Sequence, residues 1–138
     1  MDDVVLGKVE IIERCVGRVR EVHDCDPVAF RSDLTRQESV LLNLQRACEA
    51  AIDLAMHLVR VDRLGIPKAS REAFDLLERA GALPAELAAS LRGMVGFRNV
   101  AVHDYRKLDL DVVEAIVARH LDDLLAFAKI SLRTLDPE

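Results

Sequence analysis

Aliphatic residues recur every three or four positions along most of this 138-residue chain, and this spacing limits the fold more than any other feature. Such a period places apolar side chains on one side of an α-helix. Segments that alternate apolar and polar residues, with the β-branched and aromatic enrichment of strands, are missing from the sequence. Aromatic residues make up only 4% and there is no tryptophan, so the core has to be aliphatic. The sequence therefore predicts an all-α fold, an antiparallel helical bundle.

About five helices are predicted, with their ends marked by Gly, Pro and capping residues. They run from about Asp3 to Val22, from near a capping box at 35–38 to Gly65-Ile66-Pro67, from a cap at Ser70 to Ala80, from Leu83-Pro84 into the segment around Arg98, and from Asp109 or Asp111 past Phe127. The apolar stripe of the fifth helix includes His120, which in that setting is more often a core or interface histidine than a catalyst. At this length the helices form one domain over residues 1–138.

The formal net charge is −5, from 19 Lys and Arg against 24 Asp and Glu. Non-specific binding to nucleic acid depends on neutralising phosphates with Lys and Arg, so any such contact has to be local, and a DNA partner is not expected. Basic residues collect in two places, Arg60, Arg63, Lys68 and Arg71, and then Arg98, Arg106 and Lys107. A solvated face accounts for such groups more often than a binding patch, and both interpretations stay open.

Three cysteines, at positions 15, 25 and 48, are odd in number and lack C-x-x-C spacing, so neither a disulfide framework nor a zinc site is predicted. His23 and His57 have no partner at metal-ligand spacing, and no H-E-x-x-H motif or Gly-rich phosphate loop occurs. We expect no metal and no cofactor. The sequence begins without a signal-peptide pattern and no apolar run reaches membrane-spanning length, so a cytoplasmic protein without a membrane partner is expected.

The segment from Gly96 to Arg106 places a guanidinium, an imidazole and a phenol close together near the end of the fourth predicted helix. Arg98 can hold a phosphate through two parallel hydrogen bonds and stays charged. A histidine such as His103, with an unperturbed pKa of about 6.5, can give or take a proton near neutral pH. Neither task needs a metal ligand, so these residue types indicate phosphodiester chemistry.

The block Arg98-Asn99, followed by His103 and Tyr105, resembles the signature of the HEPN superfamily, specifically of HepT-like toxins, which act as metal-independent ribonucleases. The resemblance covers most of the chain and implies a HEPN-like helical fold. It implies that Arg98 holds the scissile phosphate of an RNA substrate, that His103 moves the proton, and that Asn99 positions the phosphate or the imidazole.

The same resemblance implies a role for the second predicted helix and a protein partner. The segment Glu49–His57 is similar to the acidic second helix of the family, so Glu49 and Asp53 are expected to orient the imidazole or the arginine of the site. The family also implies a partner antitoxin, a minimal nucleotidyltransferase of the MntA type. That partner transfers AMP from ATP to the motif tyrosine, here Tyr105, and so silences the toxin.

One chain alone makes a poor catalytic pocket. Arg98 and His103 are five residues apart, which separates them by roughly 140° around an uninterrupted helix, whereas Asn99 and His103 share a face. Cleavage of RNA also uses both a base and an acid, and each signature supplies a single imidazole. A homodimer about a two-fold axis along the fourth helix would bring both pairs into one cleft, with Gly93 and Gly96 permitting close approach.

Purely structural roles would suit the signature residues as well. Arg98 and His103 are also fitted to bind helix-end carbonyls or acidic partners, with Tyr105 plugging the end of the bundle. Asp53 and His57 also suit an ordinary i, i+4 surface pair, which is slightly favoured. For the whole protein, the alternative to a nuclease is a binding module, the non-catalytic companion subunit of a small nucleotidyltransferase that recognises a nucleotide or the partner itself.

Overall fold

The computed structural model describes the backbone of residues 2–104 and 109–133, and the side chains of these residues except 102–104. Within those ranges the chain forms seven helices and no strand, which confirms the predicted all-α bundle. The helices are α1 (Asp3–Cys25), α2 (Pro27–Phe30), α3 (Leu34–Val61), α4 (Ser70–Arg79), α5 (Ala85–Asp104), α6 (Leu110–Arg119) and α7 (Leu121–Arg133). None of them is long and apolar enough to cross a membrane.

One aliphatic core includes residues from all seven helices, and the long helices α1 and α3 pack against each other along it. The predicted stripe of α1 is buried, and it comprises Val5, Val9, Ile12, Val16 and Val19. Phenylalanines are the largest of the fully buried side chains. The rings of Phe74 and Phe127 meet edge to face with centroids 5.7 Å apart, which joins α4 to α7.

The region between α1 and α3 differs in detail from the prediction. α1 continues one turn beyond Val22, to Cys25, and Asp26 then caps the single turn α2 by accepting a hydrogen bond from the Ala29 amide at 3.0 Å. The capping box at 35–38 does not start α3. Asp33 does, because its carboxylate accepts from the Arg36 amide at 3.3 Å.

The loop that joins α3 to α4 has two residues with positive φ, Arg63 at 55° and Gly65 at 138°. Only glycine adopts the second value without strain. Ser70, the predicted cap of the next helix, is instead its first residue, and Ala69 holds the cap position without a side-chain hydrogen bond. The Ser70 hydroxyl is thereby left for another partner.

The predicted fifth helix is two helices, because the chain leaves helical geometry at His120, where φ is −117°. His120 was expected to be a core or interface histidine, and of these two roles the core does not fit, since its side chain is 41% exposed. Its Nδ1 lies 3.0 Å from a carboxylate oxygen of Asp123 and 3.1 Å from the hydroxyl of Ser90. These contacts tie the break between α6 and α7 to α5.

Candidate active site

Helix α5 carries the signature, and buried side chains hold its first three turns against the rest of the bundle: Leu87, Ala88, Leu91, Met94 and Val95. The helix remains continuous from Ala85 to Asp104, so the backbone positions of Arg98 and His103 lie five residues apart on one uninterrupted helix. The side chain of His103 lies outside the described residues, and so do Tyr105, Arg106 and Lys107.

Arg98 is fixed by two other helices. Its Nη1 donates to Oε1 of Glu49 on α3 at 3.0 Å, and its Nη2 donates to the hydroxyl of Ser70 at the start of α4 at 3.3 Å. The side chain is 21% exposed, and its buried Nε has no hydrogen-bond partner among the described residues. Among the described atoms, its partners are thus an acid and a hydroxyl and not the carbonyls of a helix end, and the Nη atoms retain N–H groups for a ligand.

Glu49 is therefore in contact with the signature arginine, as its place on the second predicted helix suggested. The neighbouring Cys48 is part of the packing, since its Sγ lies 3.9 Å from Sδ of Met94. Burial raises the pKa of the Cys48 thiol to about 12. A buried, protonated thiol suits a packing residue.

Asp53 and His57 do not pair with each other, contrary to the slightly favoured interpretation. Asp53 forms an ion pair with Lys8 of α1 at 3.0 Å, and His57 contacts the carboxylate of Asp2 at 2.5 Å. The hydrogen bond with His57 lowers the pKa of the Asp2 carboxyl. Both residues turn towards α1 because α1 is the neighbour along which α3 packs. No contact connects Asp53 with Arg98 in the described structure.

Sequence reasoning missed Ser70 and Arg71 as parts of this region. A Cβ atom added to Gly96 would lie 2.7 Å from Nη2 of Arg71, so the glycine leaves the space that this guanidinium occupies. Both glycines were expected to permit close approach of a second chain. At Gly96 the space is taken by Arg71 of the same chain, whereas nothing lies within 4 Å of a Cβ added to Gly93. The sequence signal for Ser70 was its place at the start of a helix, which cap formation explained equally well, and the signal for Arg71 was its membership of a basic group for which a solvated face was the commoner explanation.

A groove of about 560 Å³ lies between α5 and α6. Small and apolar residues line most of it, including Ala89, Gly93, Gly96, Val100 and Val112, and His120 and Ser90 lie at its polar part. Val100 and Val112 are 42% and 49% exposed, and Asn99 beside them is exposed. Helical periodicity puts positions 89, 93, 96, 100 and 103 on one stripe of α5, so position 103 falls on the same stripe as the residues that line the groove.

No group of three or more His, Cys, Asp or Glu residues capable of holding a metal ion occurs among the described side chains. Cys15, Cys25 and Cys48 are all free thiols. The chemistry that the described part of the site offers comes from the guanidinium of Arg98 and the acid and hydroxyl that hold it.

Comparison with known proteins places these features in a family. The ribonuclease HepT-like family matches residues 12–130. The mRNA nuclease HepT of Shewanella oneidensis is 45% identical over 130 residues, which cover 94% of this chain and 97% of that protein.

Solved structures agree with the same assignment. A tri-AMPylated Shewanella oneidensis HEPN toxin in complex with an MNT antitoxin has a TM-score of 0.89 and 45% identity, covering 94% of this chain and 97% of that chain. A toxin–antitoxin structure with AMP-PNP has a TM-score of 0.88 and 44% identity, covering 95% of this chain and 99% of that chain.

Proposed function

Because this chain belongs to the ribonuclease HepT-like family, we propose that it is the toxin of a toxin–antitoxin pair and that it cleaves RNA with Arg98 and His103. The observation that carries the proposal is the anchored guanidinium of Arg98, held by Glu49 and Ser70 on two different helices. A cation fixed in this way binds a phosphodiester without first losing side-chain freedom. It also stabilises the negative charge that develops on the phosphate during cleavage.

His103 transfers the proton in this proposal, and Asn99 positions the phosphate or the imidazole. Attack of the ribose 2′-hydroxyl on phosphorus requires a base for the hydroxyl proton, and departure of the 5′-oxygen requires an acid. Two imidazoles perform both tasks, so the proposal needs a second copy of the chain. The partner's signature supplies the second imidazole across a two-fold axis.

The groove between α5 and α6 supports this dimer. Its wall is built from small residues, and the open space at Gly93 leaves room for a helix of the second copy. Since position 103 continues the same stripe, a second α5 packed there brings the two His103 positions towards the axis. Asp53 is left out of the proposed site because its carboxylate pairs with Lys8.

Silencing is proposed to act on Tyr105. A nucleotidyltransferase partner of the MntA type transfers AMP from ATP to the phenol, so that a phosphodiester to the tyrosine oxygen forms and pyrophosphate leaves. The similar Shewanella toxin is tri-AMPylated and bound to its antitoxin, which supports this assignment. The attached phosphate is negatively charged and competes with substrate for Arg98 by the same charge-assisted hydrogen bonds.

The reaction is proposed to proceed without a metal, because an arginine and a pair of histidines already supply charge stabilisation and proton transfer. Purified protein is expected to cut RNA in the presence of EDTA. Arg98→Ala and His103→Ala are each expected to reduce the rate by about 10²–10⁴-fold, the usual contribution of such groups. Cleavage that requires Mg²⁺, or that survives both substitutions, would contradict the mechanism. A chain that neither cuts RNA nor arrests growth when expressed alone would be a binding subunit.

A further inference from the structure

The segment from Arg60 to Arg71, which joins α3 to α4, is basic within an acidic protein. It contains four basic residues and one acidic residue, while the whole chain carries a net charge of −5. None of the four basic side chains forms an ion pair with a described carboxylate. Several arginines of the helices do form one, for example Arg18 with Glu21 at 2.9 Å and Arg92 with Glu78 at 2.8 Å. No described carboxylate of the protein neutralises these four positive charges, so they are able to attract an anionic ligand.

Arg71 brings that charge to the signature helix. Its guanidinium lies against Gly96, in the space that a side chain at position 96 would fill. Ser70, the residue before it, accepts the hydrogen bond from Arg98. Ser70 and Arg71 of α4 thus contact α5 at two places, Arg98 and Gly96, and Arg71 is itself exposed.

The position of Gly96 on α5 relates Arg71 to the proposed proton-transfer residue. Positions 96 and 103 are seven residues apart and share one stripe of the helix, with a rise of about 10 Å between them. Position 98, by contrast, lies on the opposite side of α5 from position 96. Arg71 therefore supplies a cation on the same side of the helix as position 103, far enough from it to meet a neighbouring phosphate of a bound strand.

The loop before Arg71 borders a pocket of about 400 Å³. Its apolar part comprises Met56, Val59, Ile66 and Pro67, and the guanidinium-bearing residues Arg60 and Arg63 also line it. Ile66 is 89% exposed and so offers an aliphatic surface to solvent. The aliphatic wall offers apolar contact to an unpaired base, and the two cations offer charge to its phosphate. A simple anion would use only the cations.

We propose that Arg71, together with Arg63 and Lys68 of the α3–α4 loop, binds phosphates of single-stranded RNA that flank the bond cut at the signature. This rests on the proposed ribonuclease function and extends its substrate from a single phosphodiester to a strand of several nucleotides. RNA is favoured over an acidic protein surface because the guanidinium of Arg71, from α4, lies against α5 beside the signature, where the proposed substrate strand is cut.

The salt dependence of RNA binding tests the proposal. For single strands, the slope of log K against log salt concentration changes by about 0.7 for each phosphate contact. The probe is a fluorescent 12-nucleotide RNA with 2′-O-methyl groups, which wild-type protein binds without cutting, over a series of KCl concentrations. Arg71→Gln and Arg63→Gln are each expected to reduce the magnitude of the slope by about 0.7, and the double variant by about 1.4. The matched control is Arg79→Gln, an exposed arginine at the other end of α4, which should leave the slope unchanged.

Gly96→Ala provides an independent variant. The added methyl group displaces the Arg71 guanidinium, whereas alanine favours the helix more than glycine does, so folding is retained. Because the displaced guanidinium keeps its charge, this variant should reduce the slope by no more than Arg71→Gln does, and combining the two substitutions should add nothing beyond Arg71→Gln. Additive effects of the two substitutions would contradict the placement of Arg71.

Cleavage separates this proposal from the proposed function. The Arg71 and Arg63 variants should lower kcat/KM for a 12-nucleotide RNA and leave that for a dinucleotide unchanged. If wild-type protein cuts RNA but the slopes are unaltered in the variants, the proposed binding of RNA by Arg71, Arg63 and Lys68 is wrong, and the proposed ribonuclease function is unaffected. If wild-type protein cuts no RNA, the proposed ribonuclease function is wrong. Reduced slopes in the variants would then still support binding of RNA by Arg71, Arg63 and Lys68. Variants that lose binding to the purified nucleotidyltransferase partner but keep the wild-type slope would assign the basic loop to that protein instead.

Discussion

Glu49 on α3 accepts a hydrogen bond from Nη1 of Arg98 on α5 at 3.0 Å, across 49 residues of sequence. The acid is 39% exposed and the arginine 21%, so the pair lies at the surface of the bundle but is not freely solvated. A hydrogen bond between two charged groups is about twice as strong as a neutral one. Glu49 therefore acts on the proposed chemistry through Arg98, as a positioning residue.

Replacement of Glu49 is expected to show this role directly. Glu49→Ala leaves Arg98 held only by Ser70, and misplacement of a catalytic group by about 1 Å costs about 10²-fold in rate. Glu49→Gln keeps an acceptor at the same place and should restore most of the activity. The readout is kcat and KM for RNA cleavage, with Glu10→Gln, an exposed acid on α1, as the control. Equal losses in the Ala and Gln variants would mean that charge, and not position, is what Glu49 supplies.

Mixed dimers test the shared cleft. A dimer of one His103→Ala chain and one wild-type chain is expected to lose much more than half of the wild-type activity, because each cleavage uses both imidazoles. Differently tagged chains, purified in two steps, give the mixed species for rate measurements. Retention of half the activity would show that each chain works alone, and a monomer by light scattering would exclude a shared cleft altogether.

Tyr105 is expected to be the site of covalent silencing. Tyr105→Phe removes the phenol oxygen that attacks the α-phosphate of ATP, while it leaves Arg98 and His103 in place. The variant should keep substantial ribonuclease activity and resist silencing by the nucleotidyltransferase with ATP. Intact-mass spectrometry measures the result as AMP additions on the wild type and none on the variant. Equal modification of both proteins, or of neither, would remove Tyr105 from this role.

The ion pair between Arg31, which follows α2, and Glu114 of α6 predicts how stability changes with pH. Hydrogen bonding from Arg31 lowers the pKa of the Glu114 carboxyl below its ordinary value of 4.5. A lowered pKa in the folded state means that the pair stabilises the fold above the unfolded pKa, and that this contribution is lost as the pH falls through the folded value. Between pH 6 and pH 3, urea denaturation should therefore show a smaller loss of stability for Glu114→Gln than for wild type. Glu10→Gln, an exposed acid without a described ion pair, serves as control, and parallel curves for Glu114→Gln and wild type would refute the linkage.

Periodicity predicted the fold well because burial of an aliphatic stripe decides where a helix packs. All five stripe residues of α1 are buried, as their spacing requires. The break at His120 was not predictable from spacing, because the stripe keeps its period through the break. The break is accompanied by a tertiary contact of His120 with Ser90, 30 residues away in sequence, and by a local contact with Asp123.

The candidate site was predictable in its residue types and less so in its contacts. Glu49 could be placed near Arg98 because a family pattern put an acid on the neighbouring helix, whereas the partners of Asp53 and His57 depended on which side of α3 faces α1. Ser70 carried two possible meanings, a helix cap or a side-chain partner, and local sequence favours the cap. Ser70 contacts a side chain because Arg98, on another helix, extends to its hydroxyl. The local sequence around Ser70 does not predict that contact.

The carboxylate of Glu49 also determines which anions can occupy the site. In the resting protein the charge of Arg98 already faces an intramolecular counter-ion at 3.0 Å. A small anion that offers a single contact uses only the N–H groups that Glu49 and Ser70 leave free, beside a carboxylate that already balances the charge of Arg98, and it gains little. A polyanion held at several points at once binds the same N–H groups more tightly because its other contacts keep it in place. On the proposed function, the pair of Arg98 and Glu49 therefore favours a strand over the chloride, acetate and free phosphate of the surroundings.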